Sequence, residues 1–215
     1  MLAHFHSPWD AAPSCFIDTE TTGVRAGTDR AVQVGFARFE RGKLVRTVSF
    51  LVNPGMAIPA EATAVHGITD AHVKDAPTIG EVFARNEVQA LLDGAQPGAY
   101  NAAFDRHFVP PFGDWTWPWA DALSLVRSVD RFARGRGRHR LEAACERHGV
   151  RLAKAHDAGA DAAAAGELFY KLGRRVFGKS PLGDALKWQR DAESAEWHRF
   201  SGWLASQPPR EVAHG

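Results

Sequence analysis

At 215 residues, with 45% apolar and 24% charged side chains, the chain has the composition of one substantial soluble domain that can bury a core. A formal net charge of +1 excludes a global basic field, so a polyanionic partner would have to be held by local patches. Two cysteines without metal-ligand spacing, Cys15 and Cys145, no apolar run of membrane-spanning length, and a start that lacks a continuous apolar stretch argue against a disulfide framework, a bilayer span and a signal peptide, and lead us to expect a cytoplasmic protein.

In chain order, Cys15-Phe16-Ile17 and Ala31-Val32-Gln33-Val34-Gly35-Phe36-Ala37 read as strands, and a third is expected over 44–52. Arg41-Gly42-Lys43 predicts a hairpin turn between the last two, and Asn53-Pro54-Gly55 closes the third strand. The spacing of Val82, Phe83, Val88, Leu91 and Leu92 predicts an amphipathic helix over 79–92. Gly94, Pro97 and Gly98 lead into a short segment ending Ala99-Tyr100-Asn101, and helices are expected over 102–109, 121–132, 141–147 and 158–176. Strands first and helices later, with some alternation, imply an α/β fold with a mixed sheet flanked by helices. Composition shifts near Gly178, and 180–206 is helical in pattern and rich in tryptophan. The chain thus divides into an N-terminal arm (1–13), a main domain (14–177) and a short helical C-terminal extension (178–215).

Three short constellations carry candidate chemistry. Asp18 and Glu20 stand two residues apart at the end of an apolar strand, so both side chains leave the same face of the sheet. Paired carboxylates call for a compensating cation, and oxygen donors suit magnesium or manganese. A solvated strand end before Thr21-Thr22-Gly23 is the other reading. Next, Asn101 can hold a turn while Asp105, in the first turn of the following helix, points back at the sheet edge. An ordinary first-turn aspartate, favoured by the helix dipole, fits the same pattern. Finally, Asp157 is a plausible N-cap, which places Asp161 about one turn into the helix and His156 in the loop before it. A histidine beside a carboxylate suits a general base next to a metal site, the alternative being an exposed histidine before an ordinary cap.

Taken together, the order Asp-x-Glu, Asn-x-x-x-Asp, His-x-x-x-x-Asp resembles the DEDDh exonuclease family, of ribonuclease H-like fold, over roughly 16–172. Glu61 with Val65-His66-Gly67-Ile68-Thr69 looks like the family's loop at the substrate end, and 121–127 and 141–145 look like its later helices. The resemblance implies a 3′–5′ exonuclease in which Asp18, Glu20, Asp105 and Asp161 bind two divalent cations, magnesium or manganese, and His156 takes a proton from the attacking water. It also implies that Thr21, Glu61 and His66 surround the terminal nucleotide, that Val65 packs on the last base, and that Asn101 and Phe104 belong near this pocket. Phe104 fits equally as a buried aromatic holding its helix. Tyr100 stands where many relatives carry histidine, which is expected to alter packing at the strand end. Gln33 stands where relatives often carry glutamate and is not among the ligands.

Arg127, Arg131, Arg134, Arg136, Arg138 and Arg140 crowd one stretch loosened by Gly135 and Gly137. Phosphates are natural partners of such a cluster, Arg134, Arg136 and Arg138 above all; a solvated loop is the alternative. Trp115, Trp117 and Trp119 alternate as in a strand with one covered face, either as packing or as stacking platforms for bases. In the tail, Trp197, Phe200 and Leu204 share a helical face that docks on the parent domain or binds a protein partner or a second copy. The expected substrate is the 3′ end of single-stranded DNA. An RNA-trimming enzyme of RNase T or oligoribonuclease type, and an accessory subunit acting mainly through binding, remain open.

Overall fold

The structure is a computed structural model that describes residues 6–111, 119–135 and 137–206, apart from the side chains of Glu193, Glu196 and Leu204. Trp115, Trp117, Arg136 and the Leu204 side chain therefore lie outside the described residues.

β1 (Ser14–Thr21) is the middle strand of a five-stranded mixed sheet ordered β3-β2-β1-β4-β5. β2 (Ala31–Glu40) runs antiparallel to β1 on one side and to β3 (Lys43–Leu51) on the other. Arg41 and Gly42 make the expected hairpin with φ of 51° and 71°, the left-handed pair that a two-residue turn matched to strand twist requires. β4 (Gln96–Ala99) and β5 (Ala120–Asp121) extend the sheet in parallel on the far side of β1.

The segment after β3 carries α1 (Ala60–His66) and α2 (Asp70–Val73), so the stretch expected as a substrate-end loop is a helix closed by left-handed Gly67. The single helix expected over 79–92 is instead two, α3 (Ile79–Phe83) and α4 (Asn86–Leu92). Arg85 between them is extended at φ −68°, ψ 135°, and the Gln89 side chain donates to the carbonyl of Phe83 at 2.6 Å. The helical spacing survives the break because Val82, Phe83, Val88 and Leu91 still face one sheet surface. The helix expected over 102–109 shrinks to α5 (Ala102–Asp105), followed by a turn over 106–108 ahead of Pro110 and Pro111.

The other surface of the sheet is covered by α6 (Ala122–Val129), α7 (Leu141–His148), α8 (Ala158–Val176) and α9 (Leu182–Ala205). α8 lies on β1 and β2 through small residues. A Cβ on Gly166 would sit 2.2 Å from the Phe39 ring, so only glycine allows that approach. Trp9, ahead of β1, is buried at 4% exposure against Phe169, Tyr170 and Phe177, and its indole N–H donates to the carbonyl of Gly178. α9 packs back on α5, α6 and β5, and its Gln189 is buried in that contact. Trp119 is a core residue on the α3/α4 side, so its ring is packing rather than a platform. Cys15 and Cys145 are buried free thiols, and burial pushes both up to about 12. Among the described residues, no helix is long and apolar enough to cross a membrane.

Candidate active site

The site is made where the end of β1 meets the start of α8. Asp18 pairs in register with Gly35, and Glu20 with Gln33, so these four positions share one face of the sheet. Gly35 lets the first turn of α8 rest on that face, because a Cβ there would lie 2.1 Å from the backbone carbon and oxygen of Ala158. Gln33, no ligand in the sequence pattern, has a different task. Its side-chain oxygen accepts the Ala158 N–H at 3.0 Å, satisfying one of the donors a helix start leaves open. Asp157 caps the same turn by accepting from Ala160 N at 3.2 Å, as its position predicts. With the helix start fixed, Asp161 comes over Glu20. His156 adopts φ 60°, a left-handed conformation costing about 1–2 kcal/mol for an L residue. In that conformation its N–H donates to Asp161 Oδ2 at 3.1 Å.

Asp105 approaches from the opposite side of β1. Its Oδ1 accepts both the backbone N–H of Thr19 (3.0 Å) and the Thr19 hydroxyl (2.8 Å), which ties α5 to the strand between Asp18 and Glu20. α5 is held from behind by Asp121, fully buried, whose Oδ2 accepts from Ala102 N at 2.9 Å and whose Oδ1 accepts from Ser124 N at 2.7 Å. Gln189 of α9 accepts the Asp121 N–H at 2.8 Å. The C-terminal helix thus belongs to the support of the acidic centre. Asn101 sits at the α5 N-cap position without a side-chain cap bond, its carbonyl instead accepting from Phe104 N.

The electrostatics of this centre are those of crowded carboxylates. Burial, then the charges of Asp105, Asp161 and Glu20, push Asp18 well above the usual carboxylate range. Burial raises Glu20, opposed by the neighbouring His156, and raises Asp105 against its hydrogen bonds from Thr19. Asp161 is pushed up to about 7 by burial and then by Glu20. Among the described residues no lysine or arginine pairs with any of the four, and Asp161 Oδ1 is buried without a hydrogen-bond partner. Glu20, His156 and Asp161 offer ligand atoms all within 4.8 Å of one another. Hard oxygen donors, uncompensated charge and an orphaned buried oxygen fit a divalent cation such as magnesium or manganese. His156 Nδ1 lies 3.9 Å from Glu20 and Nε2 lies 3.7 Å from Glu142, so carboxylates flank both ring nitrogens.

A cleft of about 840 Å³ opens above this floor. Asp18, Glu20, Asp161, His156, Val65 and Asn101 line it, as expected, joined by Tyr100, His139, Arg140 and Glu142. Val65 is 56% exposed on the α1 wall. Thr21 and His66 lie at the β1 end: the Thr21 hydroxyl donates to the carbonyl of Gly23 at 2.6 Å, and His66 Nδ1 accepts from Ile68 N. Burial lowers the pKa of His66, the Thr21 backbone opposing it. Glu61 is exposed and outside the cleft lining; Phe104 is also outside the lining but half-buried, its ring packing on Phe108 and on Phe200 of α9. Arg134 and Arg138 are exposed and do not line the cleft either. Tyr100, in place of the expected histidine, donates its hydroxyl to the carbonyl of His139 at 2.5 Å. The change in strand-end packing thereby fixes the end of the arginine stretch.

The family model described as Exonuclease, RNase_T, matches residues 15–169. A DNA polymerase III subunit epsilon-like protein of Rhodobacter capsulatus is 38% identical over 176 residues, covering 77% of this chain and 24% of that protein. A PolC-type DNA polymerase III of Streptococcus thermophilus is 32% identical over 174 residues, covering 77% and 11%. The chain thus spans about a quarter or less of the length of these curated relatives. Exonuclease X in complex with 5′-overhanging duplex DNA has a similar fold, with a TM-score of 0.66 at 24% identity over 83% of this chain and 98% of that one. The E. coli exonuclease I complex with single-stranded DNA aligns with a TM-score of 0.64 at 21% identity, over 81% and 42%.

Proposed function

This chain belongs to the RNase_T family of 3′–5′ exonucleases, and from that premise we propose that it removes nucleoside monophosphates one at a time from the 3′ end of single-stranded DNA. The observation that carries the reading is the convergence of Asp18, Glu20, Asp161 and His156 on one open cleft with Asp105 directly behind it. DNA is favoured because the relatives are DNA polymerase III and epsilon-like proteins, and solved structures of like fold are complexes with 5′-overhanging duplex DNA and with single-stranded DNA.

Asp18, Glu20, Asp105 and Asp161 are the residues that would hold two divalent ions, magnesium or manganese. Such a pair stabilises the attacking and leaving oxygens of an in-line displacement. The imidazole of His156 accepts the proton of the attacking water, and the Glu142 carboxylate beside Nε2 stabilises the imidazolium that results. The new bond forms at the phosphorus of the terminal nucleotide, and the bond to the 3′ oxygen of the nucleotide before it breaks. Thr21, Glu61 and His66 receive the terminal sugar, Val65 packs on its base, and Asn101 orders the strand end beside it. Phe104 acts from behind by fixing α5 to α9.

The test is digestion of end-labelled DNA and RNA oligonucleotides of one sequence with magnesium, manganese or chelator. A ladder shortening from the 3′ end of DNA, lost in chelator and blocked by a 3′ phosphate, is expected. Cleavage of circular single strands at the same rate would reject the terminal-nucleotide reading, and faster digestion of RNA would move the substrate to RNA.

A further inference from the structure

We propose that Arg140 holds the phosphodiester immediately upstream of the scissile one, so that it sets the enzyme's grip on a nucleic-acid chain as distinct from its terminal nucleotide. The inference rests on the exonuclease reading and extends it from the acidic floor to the cleft wall. Among the described residues lining the cleft, Arg140 is the one with a permanent positive charge. His139 beside it is held below its ordinary pKa, by burial first and also by the charges of Arg138, Arg127 and Arg147, and so is neutral at pH 7. The other candidates in the stretch are placed differently: Arg134 is exposed off the cleft, and Arg138 donates to the carbonyl of Gly135 at 3.3 Å.

The backbone at Arg140 is well anchored. Its N–H donates to the Gly137 carbonyl at 2.9 Å, its carbonyl accepts from Ala144 N at 3.0 Å, and Tyr100 holds the preceding carbonyl. No carboxylate among the described residues pairs with its guanidinium. A guanidinium carried on an anchored backbone, with no carboxylate among the described residues to neutralise it, suits a phosphate oxygen pair at the edge of an open cleft. Placement then follows by division of the cleft. The acidic floor takes the scissile phosphate and the α1 wall, with Ala64 and Val65, takes the terminal nucleoside. The wall at the start of α7 is left for the incoming strand.

The experiment compares the wild type, Arg140→Ala and Arg140→Lys on two substrates. One is a short oligothymidylate. The other is the p-nitrophenyl ester of thymidine 5′-monophosphate, which carries a single phosphodiester and no upstream nucleotide. The ratio of kcat/KM for the oligonucleotide to that for the ester should fall roughly tenfold in Arg140→Ala, mainly through KM, and Arg140→Lys should restore part of it because a point charge replaces a fork. Anisotropy of a labelled oligothymidylate, with turnover blocked by chelator, should show the salt slope reduced by about 0.7 in Arg140→Ala. Equal loss on both substrates would place Arg140 at the scissile phosphate and overturn the proposal, as would no loss on either. Should Arg140→Ala melt abnormally, Arg140→Gln, which keeps the length of the side chain, takes its place under the same criteria. A wild-type protein that cleaves neither substrate would reject the exonuclease reading itself, a result visible before any variant is made.

Discussion

Substitution of Gly35 by alanine tests how the acidic centre is assembled. The new Cβ would stand 2.1 Å from the carbonyl carbon and oxygen of Ala158 and 2.3 Å from the nitrogen of Gly159. These are backbone atoms of α8, so no rotamer change relieves the contact. Ordinary contact begins near 3.4 Å, so the start of α8 must withdraw by about 1.3 Å, the difference between 3.4 and 2.1. That movement breaks the 3.0 Å bond from Ala158 N to Gln33 and carries His156 and Asp161 away from Asp18 and Glu20. Overpacking of this kind costs about 1–3 kcal/mol of stability. At about 2–4 °C per kcal/mol for a chain of this size, the midpoint should fall by roughly 2–12 °C and leave a folded protein at 25 °C. The catalytic loss should be larger, about a hundredfold, because a misplacement of about 1 Å suffices for that. The assay is release of the terminal nucleotide from a 3′-labelled oligothymidylate at saturating magnesium, with circular dichroism melts alongside. Gly80→Ala, at a helical position with nothing within 4 Å, controls for the substitution itself. Turnover of Gly35→Ala within twofold of the wild type would refute the argument that this glycine sets the approach of α8.

Three further outcomes are expected. His156→Ala should lose a factor of about 10² to 10⁴ in turnover while its manganese affinity, read by calorimetry, changes little; a matched loss of affinity would make the imidazole a ligand, as its grouping with Glu20 and Asp161 allows. Asp161 is raised to about 7 in the folded protein against an unfolded value near 3.9, so its contribution to the stability of the metal-free protein is present below about pH 4 and is lost as pH rises through about 7. Cation binding displaces that proton, so the rise in melting temperature on adding manganese should be greater at pH 8 than at pH 6, and an equal rise at both would count against the carboxylate set. Asp121→Ala leaves the N–H groups of Ala102 and Ser124 without their acceptor in a buried setting, which should lower stability by about 2–5 kcal/mol and weaken manganese binding through Asp105; a melt unchanged within 0.5 kcal/mol would discount the clamp.

The acidic positions were readable in the chain because they ride on local periodicities. Two-residue alternation puts Asp18 and Glu20 on one sheet face, and the capping geometry of Asp157 places Asp161 one turn inside α8. The Arg41-Gly42 turn and the alanine-rich run of α8 were legible for the same reason, since neither depends on distant residues. The single helix expected over 79–92 failed because both short helices keep the apolar spacing across the extended Arg85, and spacing alone does not register a break that the Gln89 side chain closes.

Which basic and polar residues surround the acids was a tertiary decision. Six arginines in one stretch look alike in sequence, yet only contacts from elsewhere separate them: Tyr100, at the end of β4, holds the carbonyl of His139 and so brings Arg140 to the cleft, while Arg134 and Arg138 stay outside it. Gln33, which the sequence pattern left without a task, proves to be an anchor for α8, because the open N–H it satisfies arrives from a segment far along the chain. The same holds for Gln189, which reaches Asp121 and through it the helix of Asp105. Local sequence determined which residue types stand at each turn and strand position; the packing of β1 against α5 and α8 decided which of them share a site, because that choice depends on pairings between segments far apart in the chain.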